Sequence, residues 1–186
     1  MSEAIATVGA EAEAAAPPPL PSPERLQELL FDACRLGRDD MVSALLQAGA
    51  SLEAEDARGF TPLVLASYNG QESTTALLLG LGAAVDGHAD AKGSSALMGV
   101  AFKGHVAIAR LLLDAGADPN RRNRGGQTAL MMAALFGQQT IVDMLLAAGA
   151  DPSARDDTGQ SAADIASAQG NDELADALAQ RAAPTS

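Results

Sequence analysis

The chain contains few of the residues that build metal centres, disulfides and nucleophilic active sites. Its 186 residues include one cysteine, two histidines, one tyrosine, four phenylalanines and no tryptophan. The single cysteine, Cys34, excludes an internal disulfide, and with only two histidines it cannot complete a typical structural zinc site. No serine or cysteine has the His and Asp partners that nucleophilic catalysis needs. We therefore expect a protein that is not an enzyme and that binds no metal or cofactor.

Basic residues and long apolar runs are also scarce. The chain has 24 Asp and Glu against 12 Lys and Arg, a formal net charge of −12. Such a charge opposes binding to a phosphate backbone, so we expect no nucleic-acid partner. No apolar run reaches the roughly 18 residues of a membrane-spanning helix, and the acidic start at Met1–Ile5 lacks the basic residues of a secretory signal. We expect a soluble, cytoplasmic monomer with no membrane partner.

The first 21 residues differ in composition from the rest. Small and acidic residues up to Ala16 are followed by Pro17–Pro19 and Pro21. A segment of this kind cannot bury enough apolar surface to offset the entropy lost on ordering. We therefore predict a disordered Ala/Pro-rich tail over residues 1–21, followed by a folded domain over residues 22–182.

Glycine recurs with a period of 33 residues through the predicted domain. There are three series: Gly37, Gly70, Gly104, Gly137 and Gly170; Gly49, Gly82, Gly116 and Gly149; and Gly59, Gly93, Gly126 and Gly159. Each series contains one gap of 34 residues, and all three excesses fall between Gly82 and Gly93. One inserted residue within residues 84–89 explains them together. A period of this length predicts stacked repeats, in which each unit buries its apolar face only against its neighbours.

Each period predicts two short helices followed by a polar finger. A hydroxyl residue suited to capping opens the first helix at Thr61, Ser95, Thr128 and Ser161. The first glycine series ends that helix, because glycine adopts the left-handed conformation that a tight turn needs. Leucine-rich segments such as Leu111–Leu113 predict the second helix, which ends at the second glycine series.

These features together resemble a known family. The segments that carry the resemblance are Asp56-Ala57-Arg58-Gly59-Phe60-Thr61-Pro62-Leu63, Leu77–Leu79 with Gly82-Ala83, and Gly104-His105 with Leu111–Leu113 and Gly116-Ala117-Asp118-Pro119-Asn120. The pattern is similar to ankyrin repeats, particularly those of small bacterial proteins. The resemblance implies an all-α solenoid of five stacked ankyrin repeats, each a helix-turn-helix with a finger loop. Their approximate bounds are 23–55, 56–89, 90–122, 123–155 and 156–182.

The resemblance also implies where a partner protein would bind. In the family, contacts come from the finger tips and from the ends of the first helices, which line a concave groove. On this chain the predicted contact residues are Arg58, Phe60, Tyr68, Asn69, Lys92, Phe102, Lys103, Arg124, Leu135 and Phe136. Four of the five aromatic residues fall in this set, and large rings are typical of interface hot spots. The alternative is that Tyr68, Phe102 and Leu135 only pack between adjacent helices.

Half of the basic residues fall on the fingers. They are Arg58, Lys92, Arg121, Arg122, Arg124 and Arg155. Because guanidinium groups pair well with carboxylates, this distribution predicts a partner surface that combines apolar and acidic groups. The alternative is that the finger arginines pair within the protein, with Asp90, Asp118 or Asp156.

Two further side chains have structural interpretations. His105 follows Gly104 at a position where ankyrin repeats often have histidine, so the resemblance implies a structural role through loop hydrogen bonds. Cys34 lies in the first predicted helix, and we expect it to be a small buried apolar residue.

The resemblance implies a non-catalytic adaptor, inhibitor or stabiliser of another protein. Residues 96–105 are similar to small bacterial ankyrin proteins associated with catalases and oxidative-stress defence, which would make a catalase the partner. An alternative is a secreted bacterial effector that acts in a host cell, with residues 1–21 as its export signal. A second alternative is a ligand-binding or enzymatic use of the groove, which no catalytic grouping in the sequence favours.

Overall fold

The computed structural model describes residues 21–87 and 93–183, and this part of the chain is helical. Its ten helices are α1 (Pro23–Leu36), α2 (Asp39–Gln47), α3 (Pro62–Tyr68), α4 (Glu72–Gly80), α5 (Ala96–Lys103), α6 (Val106–Asp114), α7 (Ala129–Leu135), α8 (Gln139–Ala147), α9 (Ala162–Ala168) and α10 (Asp172–Ala182). The predicted tail lies outside the described residues except for Pro21, and so does Lys92.

The helices form two layers. The odd-numbered helices contact one another in sequence from α1 to α9, and α2, α4, α6 and α8 contact one another in a second row. Each odd-numbered helix also packs on the even-numbered helix that follows it. Contacts between successive helix pairs are those of a stacked array, so the predicted all-α solenoid is confirmed. No helix in residues 21–87 and 93–183 is long and apolar enough to cross a membrane.

The predicted helix caps are confirmed. In each odd-numbered helix after α1, the hydroxyl of the N-cap residue accepts a hydrogen bond from a backbone N–H in the first turn; these caps are Thr61, Ser95, Thr128 and Ser161. The glycines that follow these helices are left-handed, for example Gly104 with φ of 80°. These local signals explain why helices of only seven or eight residues begin and end at the same positions in successive units.

Two columns of buried leucines run through the hydrophobic core along the length of the array. Equivalent positions on the odd-numbered helices form the first column, Leu30, Leu63, Leu97 and Leu130. Equivalent positions on the even-numbered helices form the second column, Leu45, Leu78, Leu112, Leu145 and Leu178. Each fully buried leucine contributes roughly 1.5–3 kcal/mol by removal from water. We call these two sets the leucine columns.

A second contact between neighbouring units involves the glycines that end the odd-numbered helices. Against each of these glycines lies a side chain of the next unit, from the residue that directly follows that unit's own helix-ending glycine. The pairs are Gln71 on Gly37, His105 on Gly70, Gln138 on Gly104 and Asn171 on Gly137. We call these four glycines the glycine seats. A Cβ atom would lie 2.3 Å from the Gln71 Oε1 at Gly37 and 2.6 Å from the Gln138 Oε1 at Gly104. The absence of a side chain therefore allows close approach of successive units, in addition to permitting the left-handed turn.

The interpretation of His105 as a loop hydrogen-bonding residue is corrected by this contact. Its side chain does not cap α6, although His105 stands at the N-cap position. The imidazole carbon Cε1 would lie 3.0 Å from a Cβ at Gly70, so the ring covers that glycine seat. The role of His105 is structural, as expected, but it acts by van der Waals packing between units.

Cys34 is completely buried in α1, which confirms its assignment as a small core residue. Burial raises the pKa of the thiol to about 12, because the charged thiolate would lose its hydration. The group is therefore fully protonated at neutral pH and unsuited to nucleophilic chemistry.

Candidate partner-binding surface

Three aromatic side chains form a row across the ends of successive odd-numbered helices. Tyr68 ends α3, Phe102 lies in the last turn of α5, and Phe136 follows α7. The ring centroids of Tyr68 and Phe102 are 6.3 Å apart in a stacked arrangement, and those of Phe102 and Phe136 are 4.5 Å apart edge to face. The exposed fractions are 39% for Tyr68, 37% for Phe102 and 49% for Phe136. We call these three residues the aromatic row.

The geometry of the row combines the two sequence-based alternatives. The rings do pack against one another between units, as the packing alternative requires. They also leave more than a third of their surfaces open to solvent, which is unusual for residues whose only role is in a core. The row is therefore an exposed apolar surface whose rings are in stacked and edge-to-face contact.

A cleft of about 350 Å³ opens beside the row, between α3 and α5. We call it the Gly99 cleft; it is lined by Arg35, Arg58, Phe60, Val64, Leu65, Tyr68, Asn69, Ser94, Ser95, Met98, Gly99 and Phe102. Five of the predicted contact residues, Arg58, Phe60, Tyr68, Asn69 and Phe102, are thus brought together in one concave site.

Gly99 lines this cleft and, because it has no side chain, leaves room for the Tyr68 ring that forms part of the wall. Equivalent positions carry Asp32 in the first unit and Leu65, Met132 and Ile165 in the second, fourth and fifth units, so α5 alone among the odd-numbered helices lacks a side chain there. The ring of Tyr68 lies against the glycine, and a Cβ on Gly99 would be 3.1 Å from Tyr68 Cδ2. Glycine inside a helix is destabilising by roughly 0.5–1 kcal/mol relative to alanine. Gly99 therefore lowers the stability of α5 at the position where aromatic side chains line the cleft.

Two cations lie beside aromatic rings of this site. The Arg58 guanidinium carbon is 4.9 Å from the centroid of the Phe60 ring, and Lys103 Nζ is 4.9 Å from the centroid of the Tyr68 ring. Both residues are exposed, and neither forms an ion pair with any described carboxylate. Their positive charges therefore face solvent on a chain that is strongly acidic overall.

Arg35, by contrast, forms two ion pairs within the protein. Its guanidinium group donates to Asp32 at 2.8 Å and to Asp56 at 3.0 Å. Only 9% of the Asp56 side chain is exposed, and its other oxygen accepts the backbone N–H groups of Arg58 and Phe60. This network fixes the finger that carries Arg58 and Phe60 relative to α1. The sequence analysis did not identify Arg35, Asp56 or Gly99 as parts of the site.

The other finger arginines have varied environments. Arg155 pairs with Asp164 at 3.1 Å, an acceptor that the sequence analysis did not consider. Arg122 donates to the Arg155 carbonyl, and Asp90 lies outside the described residues. Arg124 is exposed and forms no ion pair in the described part of the chain. Pairing within the protein therefore accounts for Arg155 and not for Arg124 or Arg58.

The remaining predicted contact residues lie around the row. Lys103 reaches the row through its contact with Tyr68, and Phe136 is itself the third ring. Leu135 is half-buried and lines a smaller cleft between α7 and α9. The described residues contain no cluster of three or more His, Cys, Asp or Glu side chains that could hold a metal ion.

Comparison with known proteins gives the same assignment for the repeats. A sequence model of ankyrin repeats, in three copies, matches residues 81–156 and 123–185. The chain is 47% identical over 90 residues to an ankyrin repeat-containing protein of Treponema pallidum, a match over 48% of this chain and 30% of the relative. It is 40% identical over 96 residues to the ankyrin repeat domain-containing protein SAT10 of Stachybotrys chartarum, over 51% of this chain and 5% of the relative.

A third relative is Protein HOS4 of Saccharomyces cerevisiae, 35% identical over 100 residues, over 54% of this chain and 9% of the relative. The matches therefore span about half of this chain and less than a third of each relative, so they concern the repeats and not the whole proteins. The family match covers more than half of the chain, and it agrees with the paired helices of the fold. The chain belongs to the ankyrin repeat family, whose arrays are protein–protein interaction modules.

Proposed function

We propose that this chain is a non-catalytic adaptor, inhibitor or stabiliser that binds a partner protein through the aromatic row and the adjoining fingers. The observation that supports this proposal is the exposure of three rings on one face, with Phe102 contacting both Tyr68 and Phe136. Exposed aromatic clusters of this kind are typical of interaction surfaces, and aromatic residues are enriched among interface hot spots. A partner would gain apolar contact area at little entropic cost, because the rings are already ordered.

The charges beside the row favour a partner with acidic groups. Arg58 and Lys103 contact rings and Arg124 is exposed, and none of the three is paired with a described carboxylate. A carboxylate on the partner would meet these cations without displacing an existing ion pair. Charge complementarity of this kind raises association rates and selects against basic partners.

Affinity purification with a variant of the aromatic residues tests the proposal. The variant carries Phe60, Tyr68, Phe102 and Phe136 replaced by Ala, and the control is Leu81→Ala. Leu81 is as exposed as Phe136, at 49%, but lies after α4 in the other helix layer. We expect the first variant to lose its partner and the control to keep it, with both showing native circular dichroism. Retention of every partner by a folded four-site variant would refute the proposal.

A catalase as the partner is a hypothesis that depends on residues 96–105 alone. It predicts that deletion of the gene lowers resistance to peroxide, and an unchanged survival curve would count against it. The cytoplasmic location and the monomeric state also stay predictions, which fractionation and light scattering test directly. The effector alternative depends on residues 1–21, and a secretion assay on that segment separates it from the adaptor.

A further inference from the structure

We infer that the Gly99 cleft seats one bulky apolar side chain of a short peptide segment, and that a carboxylate near this side chain on the peptide binds Arg58 or Lys103. The inference rests on the proposed function and adds to it the chemistry of the ligand and its place on the protein.

The size of the cleft limits its occupant. Its volume of about 350 Å³ is at the lower end of the roughly 300–1,000 Å³ typical of ligand pockets. Such a space accommodates a large side chain. The described lining residues include no Asp, Glu, His or Cys, so the cleft offers no acid–base pair for catalysis. Its chemistry is therefore that of a binding pocket.

The lining favours an apolar occupant. Phe60, Tyr68 and Phe102 contribute rings, and Val64 and Met98 contribute aliphatic surface. Aromatic walls hold a flat or branched apolar side chain by dispersion, and a methionine adapts to its shape. A pocket built in this way resembles those that receive anchor residues at protein interfaces.

The charges define the second part of the ligand. Arg35 lines the cleft and is already paired with Asp32 and Asp56. Arg58 also lines it, and Lys103 lies over the ring of Tyr68, with no described carboxylate paired to either. These two cations are thus available for charge-assisted hydrogen bonds to a peptide carboxylate. The two cations disfavour a basic group beside the rings, so they favour an acidic group at this place on the ligand.

Selection from a phage library of random dodecapeptides on the immobilised full-length chain provides the probe. Selected peptides are synthesised and their affinities measured by fluorescence anisotropy. Tyr68 is the only tyrosine and the chain has no tryptophan, so its fluorescence reports directly on the cleft when peptides without Tyr or Trp are added. We expect enriched sequences to share Leu, Met, Phe or Trp with Asp or Glu close by, and those without Trp to change the Tyr68 emission.

Filling the cleft provides the decisive variant. Gly99→Leu restores the side chain that Leu65 supplies in the preceding unit, and we expect Kd for the selected peptides to rise at least about tenfold. Gly80→Leu is the matched control, because Gly80 is also helical but has nothing within 4 Å of an added Cβ. Arg58→Glu should weaken binding and make the remaining affinity less dependent on salt. If Gly99→Leu fails to fold, Gly99→Ala and Met98→Ala replace it, each expected to raise Kd.

The outcomes separate this inference from the proposed function. One outcome would overturn the cleft as the binding site and leave the aromatic row as the binding surface. In it, the peptides bind every folded cleft variant as tightly as the original chain but lose affinity for the Phe136→Ala variant. Failure of any peptide to enrich above a Gly99→Leu surface would also overturn the inference. The proposed function itself would be refuted by a different result, namely that the folded four-site alanine variant retains its protein partners.

Discussion

Replacing Gly104 by Ala tests whether the glycine seats hold neighbouring units together. Gly104 and Gly116 are both left-handed, with φ of 80° and 88°, so an alanine at either position carries a backbone cost of about 1–2 kcal/mol. At Gly104 the new Cβ would also lie 2.6 Å from Oε1 and 2.8 Å from Cδ of Gln138, whereas Gly116 has nothing within 4 Å. These atoms are the end of a flexible side chain, so Gln138 relieves the clash by leaving its rotamer, at a cost of about 0.5–1.5 kcal/mol.

We therefore expect Gly104→Ala to lower the free energy of unfolding by about 1.5–3.5 kcal/mol, and Gly116→Ala by about 1–2 kcal/mol. Urea unfolding followed by far-UV circular dichroism measures both values. Adding Gln138→Ala to the Gly104 variant should recover the rotamer part of this cost, because it removes the atoms that clash. The double-mutant cycle gives the coupling between the two residues directly.

The backbone alone would explain the effect if Gly104→Ala and Gly116→Ala were equally destabilising. A coupling energy near zero between positions 104 and 138 would lead to the same conclusion. Either result would refute the role of the seat as a contact between units and leave it only as a helix end.

Three further predictions concern the core, the cysteine and the fingers. Leu112→Ala should lower the free energy of unfolding by about 2–5 kcal/mol, whereas exposed Gln180→Ala should change it by less than about 0.5 kcal/mol; equal melting temperatures would contradict the leucine columns. Cys34 should resist a disulfide reagent in the native protein and react after denaturation, since burial raises the pKa of its thiol to about 12. The contribution of this thiol to stability should decline between about pH 9 and 12. Rapid reaction in the native protein would show that α1 opens. The pKa of Asp156 lies below its ordinary 3.8 because Thr158 and Gln160 donate hydrogen bonds to it, so its contribution is present above about pH 4 and lost as the pH falls below it. Asp156→Ala should therefore lower the melting temperature more at neutral pH than in acid, and an equal loss at both would contradict the assignment.

Most of the fold could be predicted because its signals are local and periodic. A hydroxyl at position 61 and glycine at position 70 determine where a helix begins and ends, and the same pair recurs in the next unit as Ser95 and Gly104. The aromatic residues were placed on one surface for the same reason, since residues at equivalent positions of a repeat share a face.

The parts that were missed depend on contacts between units. Gly99 stands outside the three glycine series, and only the structure shows that the Tyr68 ring lies against it in the wall of the cleft. The pairing of Arg35 with Asp56 joins residues 21 positions apart whose distance depends on how two units stack. A usable signal did exist for Gly99, because a glycine replaced the large apolar residues found at the equivalent positions 65, 132 and 165.

The leucine columns and the glycine seats occupy different positions of the repeating unit from the aromatic row. Substitutions on the row change the ring contacts between units but leave the leucine columns and the glycine seats in place. An architecture of this kind allows natural selection to exchange one binding specificity for another without first acquiring reserve stability.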